Sequence, residues 1–240
     1  MSGRLGRVSD AHMREFWDAR AREDAYFFVD DRRVYGDPVL ARFWADGERD
    51  LDHLLGLLGV DVGRADTALD IGCGVGRLTR VLAGRARHVY GIDVSNEMLE
   101  LAACHHRELA NISWVLGDGL SLGGIEDRSV DACVSHVVFQ HIPDPAITLG
   151  YVREIGRVLA PGGWAGFQVS NDPGVHAARG AGRVSALRRR APRGRDDPAW
   201  IGSAVDLDEL RSVASGAGLE VERVTGAGTQ FCLVLVRHPR

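Results

Sequence analysis

Two kinds of apolar pattern alternate along this chain. Short, nearly continuous apolar runs at residues 68–71, 88–95, 112–116, 130–137 and 164–169 read as strands buried on both faces, where polar alternation is lost. Between them lie patterns of helical period: Leu78, Val81 and Leu82 within residues 77–83, Met98, Leu99 and Ala102 after Ser95, and Ile147, Leu149, Val152, Ile155 and Leu159 after Asp144. Ser95 and Asp144 read as N-caps, and Pro145 stands at a first helical position, where its missing N–H costs nothing. Asp206 and Glu209 resemble a capping box ahead of Leu207, Leu210 and Val213. Residues 219–225 and 231–236 then read as two strands joined by Gly226-Ala227-Gly228, a hairpin. Upstream, Met13, Phe16 and Trp17 give residues 10–24 an amphipathic helical spacing, Tyr26, Phe27 and Phe28 follow, and residues 39–58 form a second helical region. Strands alternating with helices predict an α/β fold.

The most informative junction is Thr67-Ala68-Leu69-Asp70-Ile71-Gly72-Cys73-Gly74-Val75-Gly76-Arg77-Leu78, a strand entering a helix through three glycines. Glycine there supplies positive φ and lets a ligand approach the backbone. In dinucleotide-binding folds such a turn delivers a pyrophosphate to a helix N-terminus. Asp70 is a poor neighbour for that anion; its carboxylate suits a positively charged ligand, such as the ammonium and sulfonium of S-adenosylmethionine. At these residues the chain resembles the class I S-adenosylmethionine-dependent methyltransferases, whose first motif holds an acid and a Gly-x-Gly-x-Gly loop; the resemblance assigns Asp70, Gly72, Cys73, Gly74 and Gly76 to the cofactor site.

Four further segments carry the resemblance in register. Asp93, ending the second strand, is a carboxylate placed to accept hydrogen bonds from two ribose hydroxyls. By resemblance, Val94 and Met98 form the apolar wall of the adenine pocket. Gly117, Asp118 and Gly119 follow the third strand, and Asp118 takes the role of the acid that reads the adenine amino group. Ser135 and His136, at the end of the fourth strand, join the same site, and Leu159-Ala160-Pro161-Gly162-Gly163 is the turn before the fifth. The family's fold is a Rossmann-like, mostly parallel sheet of seven strands in the order 3-2-1-4-5-7-6, the last strand antiparallel, with helices on both faces. The resemblance implies an N-terminal helical lid at residues 1–58, a methyltransferase domain at 59–240, and a substrate lid inserted at 171–204 that contains Arg179, Arg183, Arg188, Arg189, Arg190, Arg193 and Arg195.

Methyl transfer from a sulfonium needs mainly an in-line nucleophile, a dry site and an exit for its proton. Alignment alone contributes about 7–11 kcal/mol, against about 10²–10⁴ in rate from a general base. His141, just beyond the fourth strand, is the candidate base, since a neutral imidazole accepts protons near pH 7. His105-His106 reads as a solvated helix face. Absent motifs narrow the acceptor: there is no Asn/Asp-Pro-Pro-aromatic motif after the fourth strand, no Pro-Cys nucleophile, and no carboxylate cluster for magnesium. A small-molecule acceptor is the reading, at oxygen, nitrogen or carbon. An RNA acceptor held by the arginine-rich lid and a non-catalytic binding module are the alternatives; Asp70 and Asp118 disfavour a nicotinamide dehydrogenase.

Composition adds less. The four cysteines are scattered, with no disulfide or zinc spacing, and no apolar run spans a bilayer, so a cytoplasmic protein without metal is expected. A net charge of −4 disfavours general nucleic-acid binding. The chain has no lysine, which with its abundant Gly and Ala reflects codon usage rather than chemistry.

Overall fold

A computed structural model describes residues 10–36, 38–176 and 197–240. Two N-terminal helices, α1 (Asp10–Val29) and α2 (Leu40–Leu58), precede β1 (Thr67–Ile71), α3 (Thr79–Ala83), β2 (His88–Asp93), α4 (Asn96–His105), β3 (Ile112–Leu116) and β4 (Val130–Ser135). A 3₁₀ turn at Phe139–His141 leads to α5 (Pro145–Val158), β5 (Leu159–Val169), α6 (Pro198–Ile201), α7 (Leu207–Gly216), β6 (Glu220–Thr225) and β7 (Cys232–Arg237). The strands form one sheet in the order β3-β2-β1-β4-β5-β7-β6, as expected. β7 runs antiparallel to both its neighbours, and the other pairs are parallel.

Burial follows this order. β1 is buried at every position, whereas the edge strands β3 and β6 keep partly exposed faces. Alternate residues of the central strands face opposite layers. Leu69, Ile71, Cys133 and Phe167 pack toward α5 and α7, while Ala68, Ala132, Val134 and Trp164 pack toward α2 and α3.

The N-caps act as expected: Ser95 Oγ accepts from the Met98 N–H, Asp144 from Ala146, and Asp206 from Asp208 and Glu209, without the reciprocal Glu209 side-chain bond of a full capping box among the described residues. Three boundaries differ from the sequence pattern. The first helix does not end at Asp24 but breaks there, at φ −167° and ψ 83°, and resumes to Val29. Asp24 Oδ1 caps the second segment by accepting from Phe27 N–H. α3 begins two residues late, because Gly76 to Leu78 remain in the turn. The expected turn before the fifth strand is a bulge inside β5, whose ladder pairs Val130 with Leu159 and then Ala132 with Trp164; Gly162, at φ +84°, makes the excursion.

The N-terminal helices are fastened over the carboxyl ends of the strands. Asp18 Oδ1 accepts from Ser95 Oγ at 2.6 Å and from the Glu97 N–H at 3.2 Å, Arg22 pairs with Glu97, and Arg14 donates to the Gly117 carbonyl at 2.9 Å. From α2, Asp50 pairs with Arg77 of the glycine turn at 2.5 Å and with Arg32 of the α1–α2 connection.

Candidate active site

A cleft encloses about 1080 Å³, counting the part open to solvent, at the carboxyl ends of β1, β2 and β4. That is the place where doubly wound sheets bind ligands. Its floor is the turn after β1. Gly72, at φ +73°, lies so close to Val138 that a Cβ would come within 2.5 Å of that side chain, and a Cβ on Gly74, at φ +52°, would come within 2.8 Å of Val29. The backbone is thus bare where a ligand meets it, and any side chain at either glycine would enter the cleft wall.

Two carboxylates border this turn. Asp70 is 3% exposed and receives the Thr79 hydroxyl at 2.6 Å. Burial raises its pKa to about 6, and nearby Asp93 pushes in the same direction against the Thr79 bond. Asp93 Oδ2 accepts from Gly74 N–H at 2.8 Å and Oδ1 from Ser95 N–H at 2.9 Å. Burial raises its pKa too, with those N–H bonds opposing. Each Asp93 oxygen keeps a further lone pair for a ligand hydroxyl.

Eleven of the residues singled out by sequence line the cleft together: Asp70, Gly72, Cys73, Gly74, Asp93, Val94, Met98, Gly117, Gly119, His136 and His141. Three do not. Asp118 is exposed, and its carboxylate is engaged by the N–H groups of Leu120 and Ser121 and by the Ser121 hydroxyl, so it closes its own turn. Ser135 is fully buried and donates to the Ile71 carbonyl at 3.0 Å, locking the end of β4 to that of β1. Gly76 faces away from the cleft, where a Cβ would come within 2.7 Å of Trp114 and 2.8 Å of His106. That packing corrects the reading of the histidine pair. His106 is buried, bonds the Val75 carbonyl at 3.2 Å and stacks on Trp114, while His105 bonds the Tyr26 hydroxyl at 2.6 Å.

His136 and His141 sit in different surroundings. The Nδ1 of His136 is buried without a hydrogen-bond partner among the described residues, and burial, then the Arg77 charge, lowers its pKa to about 4. It is a neutral imidazole with an unspent polar atom in the wall of the cleft. His141 donates from Nδ1 to the Trp200 carbonyl at 2.7 Å. A carbonyl only accepts, so Nε2 carries the lone pair, which meets the Gln140 amide at 3.2 Å. Gln168 donates to Gln140 in turn, and burial lowers the pKa of His141. Beside His136, Val137 holds a φ of +58°, costly for a β-branched residue and confined to the cleft wall.

Met13, Trp17 and Phe28, which the sequence pattern gives to an N-terminal lid, form the outer wall together with Val29 of α1; Val29 and Tyr151 of α5, which also lines the cleft, carry no sequence signal. Trp200 of α6 backs the wall, with ring centroids 5.0 Å from His141, 5.5 Å from Phe28 and 6.2 Å from Trp17. Its signal was present in the sequence: Asp197-Pro198 repeats the Asp144-Pro145 helix start, and Asp197 caps α6 by accepting from Ala199 N–H. The arginines 179 to 195 lie outside the described residues. Among the described residues there is no cluster that could hold a metal ion, and no helix is long and apolar enough to cross a membrane.

The bare glycine turn, the two flanking carboxylates and the unspent His136 nitrogen suit an adenosyl ligand with a zwitterionic tail. A family model, the methyltransferase domain, matches residues 69–167. The chain belongs to the class I S-adenosylmethionine-dependent methyltransferases. It is 32% identical to a ubiquinone biosynthesis O-methyltransferase of Nitrosospira multiformis over 73% of this chain and 69% of that one. To the protein of that name from Burkholderia ambifaria it is 30% identical, over 78% of this chain and 82% of that one. Against three such relatives it spans 66%, 69% and 60% of their length. Its fold also resembles the N-methyltransferase NodS from Bradyrhizobium japonicum WM9, solved with S-adenosyl-L-homocysteine, with a TM-score of 0.60 at 18% identity, covering 95% of this chain and 99% of that one.

Proposed function

We propose that this protein methylates a small, largely apolar molecule, with oxygen the favoured acceptor atom. One observation carries the reading: a single cleft joins the glycine turn and its carboxylates to an aromatic wall of Trp17 and Phe28 that ends at His141. The names of the relatives, O-methyltransferases of ubiquinone biosynthesis, support oxygen.

S-adenosylmethionine supplies an electrophilic methyl carbon, so the chain's residues have to hold, align and dry the reactants. In this reading Asp93 receives the ribose hydroxyls on the lone pairs left free by Gly74 and Ser95. Asp70 faces the cationic part of the ligand, whose charge would hold its carboxyl ionised. His136 presents its free nitrogen to the zwitterionic tail, and Val94 with Met98 walls the base. α1 covers the site, with Met13 over Gly119 and Val94 at the base and Trp17 and Phe28 excluding water from the acceptor end. His141 Nε2 takes the acceptor's proton, exchanging the long contact to Gln140 for the acceptor hydroxyl; the Nδ1 bond to Trp200 opposes the lowering of its basicity by burial and keeps the ring correctly turned. The described part of the 1–58 arm, residues 10–36 and 38–58, covers a catalytic domain assigned to 59–240, in a cytoplasmic protein.

Calorimetric titration with S-adenosylmethionine and S-adenosylhomocysteine, with NADH as control, tests the cofactor half. Micromolar binding of the adenosyl ligands alone is expected, and a folded sample that binds neither would overturn the reading. A screen of phenols and other hydroxylated aromatics against amines then tests the acceptor half.

A further inference from the structure

The adenine end of the cleft lacks the polar side chain that the sequence pattern assigns to it. Asp118 is turned outward onto Leu120 and Ser121. Gly117 is also engaged: it donates its N–H to the Asp93 carbonyl at 2.8 Å and gives its own carbonyl to Arg14. The side chains of the remaining wall, Met13, Ile92, Val94 and Met98, offer no hydrogen-bond donor. A purine bound there keeps its ring nitrogens desolvated, at a cost of about 1–3 kcal/mol for each unpaired polar group, unless some other group meets them.

Tyr151 is that group. It stands on α5 one residue beyond Gly150, which packs against the Leu120 carbonyl, and its ring lies 5.4 Å from that of Phe139. The residue is 7% exposed and lines the cleft with Gly117 and Gly119. No hydrogen bond among the described residues uses its hydroxyl, although Asp93, Asp118 and Glu154 all lie near enough to act on it. Burial pushes its ionisation well above the ordinary phenol range, so the hydroxyl stays a neutral donor. Nothing in the packing of an apolar core calls for a phenol here when phenylalanine has the same shape.

We infer that Tyr151 reads the nucleobase, donating its phenolic hydrogen to a ring nitrogen of adenine, an acceptor that a carboxylate such as Asp118 cannot meet. The inference rests on the adenosyl assignment of this end of the cleft. The test is calorimetric binding of S-adenosylhomocysteine and its 1-deaza, 3-deaza and 7-deaza analogues to the wild-type chain and to Tyr151→Phe. Loss of one neutral hydrogen bond weakens S-adenosylhomocysteine binding roughly three- to tenfold in the variant. One deaza analogue binds the wild-type chain more weakly by the same factor, and Tyr151→Phe no longer distinguishes it from the parent ligand. Thermal unfolding of the ligand-free variant is expected to match that of the wild type, which separates base recognition from packing. Unchanged affinity in the variant, or an equal loss for all four ligands, overturns the inference. If the variant does not fold, the wild-type series decides, and three analogues bound as tightly as the parent refute it. A wild-type chain that binds none of the four overturns the adenosyl assignment itself, a different result from binding that ignores Tyr151.

Discussion

Replacing Asp70 by Asn should make this protein more stable and a poorer binder, with a pH dependence that follows from the site. The carboxyl is buried and has one hydrogen-bonding side-chain partner, Thr79, so its pKa of about 6 stands roughly 2 units above its ordinary value of 3.8. A shift of that size is worth about 3 kcal/mol. The sign is set by which state holds the proton more tightly. The folded chain does, so the contribution of Asp70 is fully present below pH 4 and is lost as pH rises through about 6. Asn cannot ionise, and its amide oxygen still accepts from Thr79. Asp70→Asn should therefore gain about 2–3 kcal/mol over the wild type at pH 8, roughly 4–12 °C in melting temperature for a chain of this size, and the gain should shrink toward zero near pH 4. Asp50, held down to about 2 by Arg32 and Arg77 despite its burial, contributes in the opposite sense, its stabilisation being lost as pH falls through about 2; the difference between variant and wild type removes it. Urea unfolding followed by tryptophan fluorescence at pH 5, 6, 7 and 8 measures that difference. A difference that does not change with pH, or a variant less stable at pH 8, would refute the assignment of a high pKa to Asp70. The same substitution should weaken S-adenosylhomocysteine binding at pH 8 by about 1.5–3 kcal/mol, the range for a hydrogen bond to a charged group. Stability gained where function is lost is the usual trade at a site that keeps a buried charge.

Asp93→Ala should weaken cofactor binding by about 1.5–3 kcal/mol, because the ribose acceptor and the anchor of Gly74 and Ser95 are lost together; a calorimetric change below a few tenths of a kcal/mol would refute it. For His141→Ala we expect turnover to fall by about 10²–10⁴ with cofactor affinity nearly intact, and steady-state kinetics showing unchanged turnover would return His141 to a purely architectural role. Gly202→Ala should unseat α6, since φ is +69° and a Cβ would overlap the Gln140 carbonyl; a loss of about 1–3 kcal/mol by chemical unfolding is expected, and a neutral result would mean that α6 does not rest on Gln140.

The parts of this protein that were legible in its sequence are those settled by neighbours in the chain. The glycine turn, the Ser95 and Asp144 caps and the buried strand β1 depend on backbone chemistry within a few residues, and each appears where the pattern places it. The strand order came from likeness to a family, because periodicity says which segments are strands and not which ones pair. Asp118 shows the limit from the other side. In Gly117-Asp118-Gly119 a local turn and a ligand contact were both open to the carboxylate, and the turn supplies three donors at once, two N–H groups and a hydroxyl.

What stayed hidden is how the outer half of the cleft comes together, and the reason is distance along the chain. Trp17, Phe28, His141 and Trp200 converge from three segments as far apart as residues 17 and 200, and no window of sequence contains the relation between them. Gly76 and His106 were misread for the same cause: a glycine in a ligand-binding motif and a histidine at a helix end each look complete alone. Only their contact, across thirty residues, shows that one makes room for the other. The cofactor end of such a site is therefore readable from local backbone chemistry, while the acceptor end is a property of packing between remote elements. In the proposed reading that end of this chain is an aromatic wall fixed by the bond between His141 and the Trp200 carbonyl, so acceptor choice and the orientation of His141 as base would rest on one contact.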